Sequence, residues 1–322
     1  MRAFSYERPT QVAQAAHAAT THPDASYIGG GTNLLDLMKL DVAQPAHLVD
    51  VNRLPMERIE LLNDGSLRIG ALVRNSTLAA DPHVRRHHAV LSRALLSGAT
   101  AQLRNKATTA GNLLQRTRCY YFTDVSKACN KRVPGSGCEA IGGYNRIHAI
   151  LGASASCIAT HPSDMAVAML ALDAVVETDR RHIPIAELHR LPGDTPQIDN
   201  TLQPGELIVA VRLPPPVPSV QLYRKVRDRA SYAFAAVSVA ALIQARHGRI
   251  ELARLAFGGV AHRPWRNHAA EQLLVGHAPS HALFERVADS VVTGAAGQGS
   301  NDYKIPLLRR TLVATLRQAT EG

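Results

Sequence analysis

Between Gln115 and Ala159 the chain loses its hydrophobic periodicity and becomes a run rich in Gly, Cys, Arg and Tyr. This run holds all four cysteines, Cys119, Cys129, Cys138 and Cys157. A structureless loop of that length is uncommon inside a compact domain unless something clips it. Four thiols gathered into about one eighth of the chain call for one shared chemical task rather than scattered packing. Any fold for this chain must therefore carry an insertion ordered by its cysteines.

Nine, eight and eighteen residues separate successive cysteines, so there is no Cys-x-x-Cys pair of the zinc-ribbon or ferredoxin kind. Two disulfides, a four-thiolate zinc site and a [4Fe–4S] cluster all stay open on spacing alone. Arg116, Arg118, Lys127, Lys131 and Arg132 surround the cysteines. Their charge suits a negatively charged thiolate-bound cluster, and equally a docking face.

On either side of the insertion the periodicity is regular. The first fifty residues read as a small α/β unit, with an Ala-rich helix after Pro9-Thr10, a strand Ser26–Ile28, a helix from Asn33 and a strand His47–Val51. Ile59–Leu62 and Leu67–Ala71 flank Asp64-Gly65 as a hairpin, and a helix follows over about His87–Leu96. Past the insertion come an apolar helix Pro162–Leu172 and strands Ala174–Thr178 and Leu207–Leu213. Pro214-Pro215-Pro216-Val217-Pro218 cannot donate to a sheet ladder and marks a boundary. Beyond it lie strands near Val220–Val226, Ala233–Ala245 and Ile250–Val260, then helices over about Asn267–Val275, His281–Thr293 and Tyr303–Gln318. The predicted units are residues 1–57, 58–213 with the insertion at about 115–159, and 219–322.

The formal charge is +10 with a pI near 9.8, yet the basic residues are scattered and accompany no recognition motif, which argues against nucleic acid as partner. The start Met1–Pro9 lacks an apolar signal core, so no export signal of the chain's own is expected. The longest apolar run, Tyr232 to Ile243, falls short of the ~20 residues of a membrane span and reads as a buried strand. His83 and His87 have His-x-x-x-His spacing, but without a metalloprotease Glu between them they read as a solvated helix start.

Two loops carry the ligand chemistry. In Ile28-Gly29-Gly30-Gly31-Thr32-Asn33-Leu34 a strand hands over to a helix, so backbone N–H groups and the positive helix end converge with few side chains between them. That arrangement suits a pyrophosphate. It lacks the Lys-Ser/Thr of a P-loop and the dinucleotide Gly-x-Gly-x-x-Gly spacing. Thr108-Thr109-Ala110-Gly111-Asn112-Leu113 is a second small-residue loop. In Thr160-His161-Pro162-Ser163-Asp164, Asp164 either caps a helix or binds a ribose.

Gly-Gly-Gly-Thr-Asn-Leu-Leu, Thr-Thr-Ala-Gly-Asn-Leu, Pro-Ser-Asp-Met-Ala-Val-Ala-Met-Leu-Ala-Leu-Asp-Ala and Tyr223-Arg-Lys-Val-Arg227 resemble, in order, the medium FAD subunit of the xanthine dehydrogenase and molybdenum hydroxylase family. The resemblance covers nearly the whole chain. With Cys-Asn-Lys-Arg-Val-Pro-Gly-Ser-Gly-Cys and Lys-Val-Arg-Asp-Arg-Ala-Ser-Tyr-Ala-Phe it extends to the FAD subunit of bacterial periplasmic aldehyde oxidoreductases.

It implies an α+β fold: a vanillyl-alcohol-oxidase/PCMH-type FAD-binding domain of two α/β subdomains, then a CO dehydrogenase flavoprotein-like C-terminal domain with a three-stranded antiparallel sheet and helices. By the same analogy Ile28, Gly29, Gly30, Gly31, Thr32, Asn33, Leu34, Thr108, Thr109, Gly111 and Asn112 wrap the FAD pyrophosphate. Asp164 meets the ribose side and Lys225 lies near the flavin. Cys119, Cys129, Cys138 and Cys157 hold a [4Fe–4S] cluster.

No catalytic acid, base or nucleophile is assigned, because the flavin carries the redox chemistry. The implied partners are a large molybdenum-cofactor subunit that oxidises an aldehyde, a small [2Fe–2S] subunit and an external electron acceptor. Co-export with a partner would make the chain periplasmic; the alternative is cytoplasmic. A self-contained flavin oxidase and a basic scaffold protein with a structural zinc are the competing readings.

Overall fold

The computed structural model describes residues 1–321. The first unit runs β1 (Ser5–Glu7), α1 (Val12–Thr21), β2 (Ala25–Ile28), α2 (Leu34–Lys39) and β3 (His47–Asp50). β3 lies central and parallel to both neighbours in the order β1-β3-β2. Its four residues are all buried, as a parallel strand covered on both faces requires. α1 turns Ala15 and Ala18 inward.

The second unit contains β4 (Ile59–Leu61), β5 (Leu67–Gly70), α3 (Asn75–Ala80), α4 (Pro82–His87), α5 (Ala89–Ser97), α6 (Ala101–Lys106), α7 (Thr109–Leu113), α8 (Tyr120–Thr123), α9 (Asp164–Ala171), β6 (Val175–Thr178), β7 (His182–Pro184), α10 (Ile185–Leu188) and β8 (Ile208–Leu213). Its antiparallel sheet has the order β4-β5-β8-β6-β7. Gly65, at φ 80°, makes the expected tight turn between β4 and β5. The insertion contributes only the single turn of α8.

The third unit is the antiparallel sheet β11-β10-β9, with β9 (Val220–Val226), β10 (Val237–Arg246) and β11 (Arg249–Gly258), followed by α11 (His268–Gln272), α12 (His281–Val292) and α13 (Lys304–Glu321). His247 and Gly248, both at positive φ, form the hairpin turn whose twist matches the strands. β10 is buried on both faces. Val237, Val239, Ala241 and Ile243 join the core built with α12 and α13. Ala240 and Leu242 join the other core, which contains α5 and α9. Beyond Asp164, α9 is therefore apolar all round, and every residue of the helix is buried between the second unit's elements and this sheet.

Several expected boundaries differ. The helix predicted over His87–Leu96 is two helices, broken at His88 (φ −129°, ψ 46°) and begun at Pro82, where Asp81 caps Val84 N–H at 2.9 Å. The apolar run from Tyr232 is not strand until Val237; Tyr232 and Phe234 are exposed. Hydrophobicity there marks a surface loop above a cavity. β1, α3 and α6 have too few apolar residues at regular spacing to stand out in the sequence.

Candidate cofactor site

A cavity of about 370 Å³ opens where the three units meet. Six of the expected residues line it: Thr32, Asn33, Gly111, Asn112, Asp164 and Lys225. The others, Ile28, Gly29, Gly30, Gly31, Leu34, Thr108 and Thr109, do not line it. They hold its walls together. A Cβ on Gly30 would stand 1.9 Å from Lys106 O, and one on Gly29 would stand 3.1 Å from Thr108 Oγ1. The glycine loop thus lies directly on the segment leading into α7. Thr108 Oγ1 accepts from Gly111 N at 3.2 Å, and Thr109 Oγ1 donates to Val73 O at 3.1 Å. The missing side chain of Gly30 makes room for this neighbouring backbone.

Ser163, not Asp164, caps α9, accepting from Ala166 N at 2.9 Å. Asp164 is left for the cavity wall, where Lys225 Nζ donates to Oδ2 at 2.7 Å and the Tyr223 hydroxyl to Oδ1 at 2.6 Å. Both partners come from β9. Their strand positions oppose Ser238 and Ala240 of β10, so they share the face turned toward α9. Burial and the neighbouring Asp164 charge push the Tyr223 hydroxyl well above its ordinary value, and it remains a donor.

The wall also contains residues that sequence reasoning missed. Asn75, 1% exposed, accepts from Asn112 Nδ2 at 3.2 Å, and its own Nδ2 has no protein partner. Asn33 Nδ2 is unpartnered in the same way, while its Oδ1 accepts from Arg116 N at 2.8 Å. Arg118 has an unpartnered Nε, and its guanidinium carbon Cζ stacks on the Phe234 ring, 5.0 Å from the centroid. Burial lowers its pKa against the opposing pull of Asp36, but a guanidinium stays charged. Three buried donors without acceptors in one cavity wall are what an anionic, hydroxyl-rich ligand would satisfy. A single Asn carries no sequence signal. Arg118 had one in its position beside Cys119. A second cavity, of about 220 Å³, shares Arg118, Asp164 and Phe234 with the first, so an elongated cofactor such as FAD fits the pair.

All four cysteines line one small void of about 10 Å³, and all four are free thiols. Cys129 and Cys138 face each other across an isolated antiparallel bridge without a disulfide. Burial pushes the thiols of Cys119 to about 12 and Cys157 to about 11, so ligation would release protons. Among the described residues no three His, Cys, Asp or Glu are close enough to hold a metal ion; single-ion thiolate geometry needs about 2.3 Å from each sulfur to the metal. Ala159 N–H points to Cys157 Sγ at 3.5 Å, and His148 Nε2 lies 3.1 Å from Cys119 Sγ.

The basic residues around the void are mostly paired. Arg116 Nε meets Asp199 at 2.8 Å, buried Lys131 binds Asp199 and Pro196 O, and Lys127 lies 3.4 Å from Glu139. Arg132 donates to the carbonyls of Tyr121 and Phe122 at 2.8 Å. His83 and His87 pack ring to ring at 4.6 Å.

Comparison with known proteins places this architecture. Residues 2–216 match the FAD binding domain in molybdopterin dehydrogenase, and residues 221–319 match the CO dehydrogenase flavoprotein C-terminal domain. The chain is 56% identical over 324 residues to the aldehyde oxidoreductase FAD-binding subunit PaoB of Escherichia coli (strain K12), covering 99% of each. It is 27% identical to the xanthine dehydrogenase FAD-binding subunit of Escherichia coli O157:H7, covering 98% of this chain and 95% of the relative. A chain of carbon monoxide dehydrogenase from Hydrogenophaga pseudoflava superposes with a TM-score of 0.77 at 23% identity, over 99% of this chain and 98% of its own. No helix among the described residues is long and apolar enough to cross a membrane. The chain belongs to the family of FAD-binding subunits of molybdopterin dehydrogenases, and it is an oxidoreductase flavoprotein.

Proposed function

We propose that this chain is the electron-transfer subunit of a heteromeric molybdenum-dependent aldehyde oxidoreductase. The aldehyde is oxidised at the molybdenum cofactor of a large partner. A small [2Fe–2S] partner delivers electrons to FAD here, and an external acceptor takes them away. Full-length identity of 56% to a subunit of that activity supports the reading. In this scheme the glycine loop (Ile28 to Leu34), Thr108, Thr109, Gly111 and Asn112 hold the FAD pyrophosphate. Asp164 and Lys225 form the wall at the ribose and flavin end. FAD supplies the ability to take electrons singly and to release one or two.

We further propose that Cys119, Cys129, Cys138 and Cys157 bind a [4Fe–4S] cluster. What supports this is the donor set: four thiols and no carboxylate line one void. A cluster of four irons and four sulfides spans more than a single ion, and thiolates are its usual ligands. Arg118 lines the FAD cavity while Cys119, the next residue, lines the void, so one peptide joins the two sites. Export to the periplasm in company with a partner completes the proposal, and cell fractionation with and without the small subunit tests it.

The decisive experiment is anaerobic purification of the complex with iron, zinc and flavin quantitation, alongside Cys129→Ser. The expected result is full flavin in both and iron reduced in the variant by the cluster's content. Stoichiometric zinc in place of that iron would remove the cluster. Full aldehyde turnover by the isolated chain would remove the division of labour.

A further inference from the structure

His148 and Lys304 are buried and belong to neither the FAD cavity nor the set of cysteines. His148 is 1% exposed and Lys304 0%. Burial of a lysine and a histidine is costly unless their polar atoms are used. The lysine's are: Nζ donates to Ile147 O at 2.9 Å, His148 O at 3.0 Å and Gly259 O at 2.8 Å. Asn301 Nδ2 adds bonds to His148 O at 3.2 Å and Ala149 O at 2.9 Å. Asn301, in the turn before α13, and Lys304, the helix's first residue, therefore clamp the backbone on both sides of His148. From this clamped backbone the ring places Nε2 3.1 Å from Cys119 Sγ, while Nδ1 has no partner.

The tautomer follows from what each nitrogen meets. A cysteine bound to iron is a thiolate with no proton to give, so any hydrogen bond at this contact runs from Nε2–H to sulfur. A proton on Nδ1 instead would leave a buried N–H bare. We propose that His148, held in place by Asn301 and Lys304, donates an N–H···S hydrogen bond to Cys119 and sets the reduction potential of the cluster that Cys119 helps to bind. The inference rests on the cluster reading above. Reduction adds one electron to the cluster, and the added negative charge is shared with its sulfurs. A donor aimed at one of those sulfurs stabilises the reduced form more than the oxidised one, and so raises the potential. His148 is thus a positioning and tuning residue, and the C-terminal unit acts on the cluster through it.

The test compares His148→Ala, which has no donor, with His148→Gln, which keeps an N–H of similar reach. Both are made in the complex purified anaerobically and titrated with dithionite under EPR. The signal absent from Cys129→Ser identifies the chain's own cluster. Loss of the bond is expected to disfavour reduction in the alanine variant about tenfold, a potential about 59 mV lower for one electron. The glutamine variant is expected to stay near wild type, with iron and flavin full in both. Lys304→Met is expected to lower the potential in the wild-type background and to move it little in His148→Ala, because both changes act on one bond. Equal potentials in wild type and His148→Ala, or equal losses in the alanine and glutamine variants, overturn the assignment. A Lys304→Met shift that persists undiminished without His148 overturns the clamp. A wild-type chain without this iron signal removes the cluster reading itself, a different failure from an unmoved potential.

Discussion

Gly30 and Gly111 belong to similar small-residue loops, and the structure separates their reasons for being glycine. At Gly30 the obstacle is Lys106 carbonyl backbone, 1.9 Å from where a Cβ would stand, and backbone cannot rotate aside. Gly30→Ala should therefore destabilise the fold by about 3 kcal/mol, as overpacking does, with flavin loss following from a displaced loop. At Gly111 the obstacle is the Thr108 hydroxyl at 2.8 Å, a side-chain atom that can turn away at the loss of its cap on Gly111 N–H, about 1 kcal/mol, and the residue lies in α7 and lines the cavity. Gly111→Ala should leave the melting temperature within a few degrees, since alanine favours a helix by up to ~1 kcal/mol over glycine. It should weaken FAD binding about tenfold, roughly the 1.4 kcal/mol of one lost close approach. Thermal melts beside flavin-fluorescence release distinguish the two. Equal behaviour of the two variants would contradict the assignment.

The insertion is a segment with almost no secondary structure, so its order depends on anchors at its edges. The chief polar one is Asp199, which takes ion pairs from Arg116 and Lys131. Burial opposes its ionisation, but the Arg116 and Lys131 charges and the Lys131 hydrogen bond outweigh it and hold the carboxyl at about 2, below the ordinary 3.8. A depressed carboxylate adds stability that is complete above the unfolded value and is lost as pH falls through the folded one. The shift corresponds to about 2 kcal/mol, present above about pH 4 and fading toward pH 2. Asp199→Asn should remove that pH dependence, leave Lys131 buried without its counter-ion, and cost about 3 kcal/mol at neutral pH. Urea unfolding from pH 3 to 6, with limited proteolysis of the insertion, reads both effects. A variant as resistant as wild type at neutral pH would show the anchor to be incidental.

Larger units meet at α9, which the C-terminal sheet covers from one side. A Cβ on Gly258 would stand 2.7 Å from Val167 of α9 and 2.5 Å from Ser238 Oγ. Gly258→Val should push the sheet away from the helix that begins with Asp164, opening the Asp164–Lys225 contact across the seam. The expected outcome is a loss of about 3 kcal/mol in urea unfolding together with faster flavin release. Full flavin retention at reduced stability would show that the seam supports the fold without shaping the cavity.

Which parts of this arrangement were legible in the sequence depends on the range of the interaction. The two small-residue loops, the proline boundary and the cysteine-bearing insertion are local patterns, and local backbone chemistry makes them readable: glycine permits close approach, proline withholds a donor, and a run without period cannot form regular structure alone. The early helix start at Pro82 and the late start of β10 were not legible, because a capping Asp81 and a cavity beneath Tyr232 and Phe234 decided them. Only the folded chain brought Asn75 and Arg118 to the cavity, assigned the α9 cap to Ser163, and set His148 against Cys119 from 29 residues away. Those are pairings between distant segments, and their energies depend on burial and on which partner each polar atom finds. A linear pattern records neither.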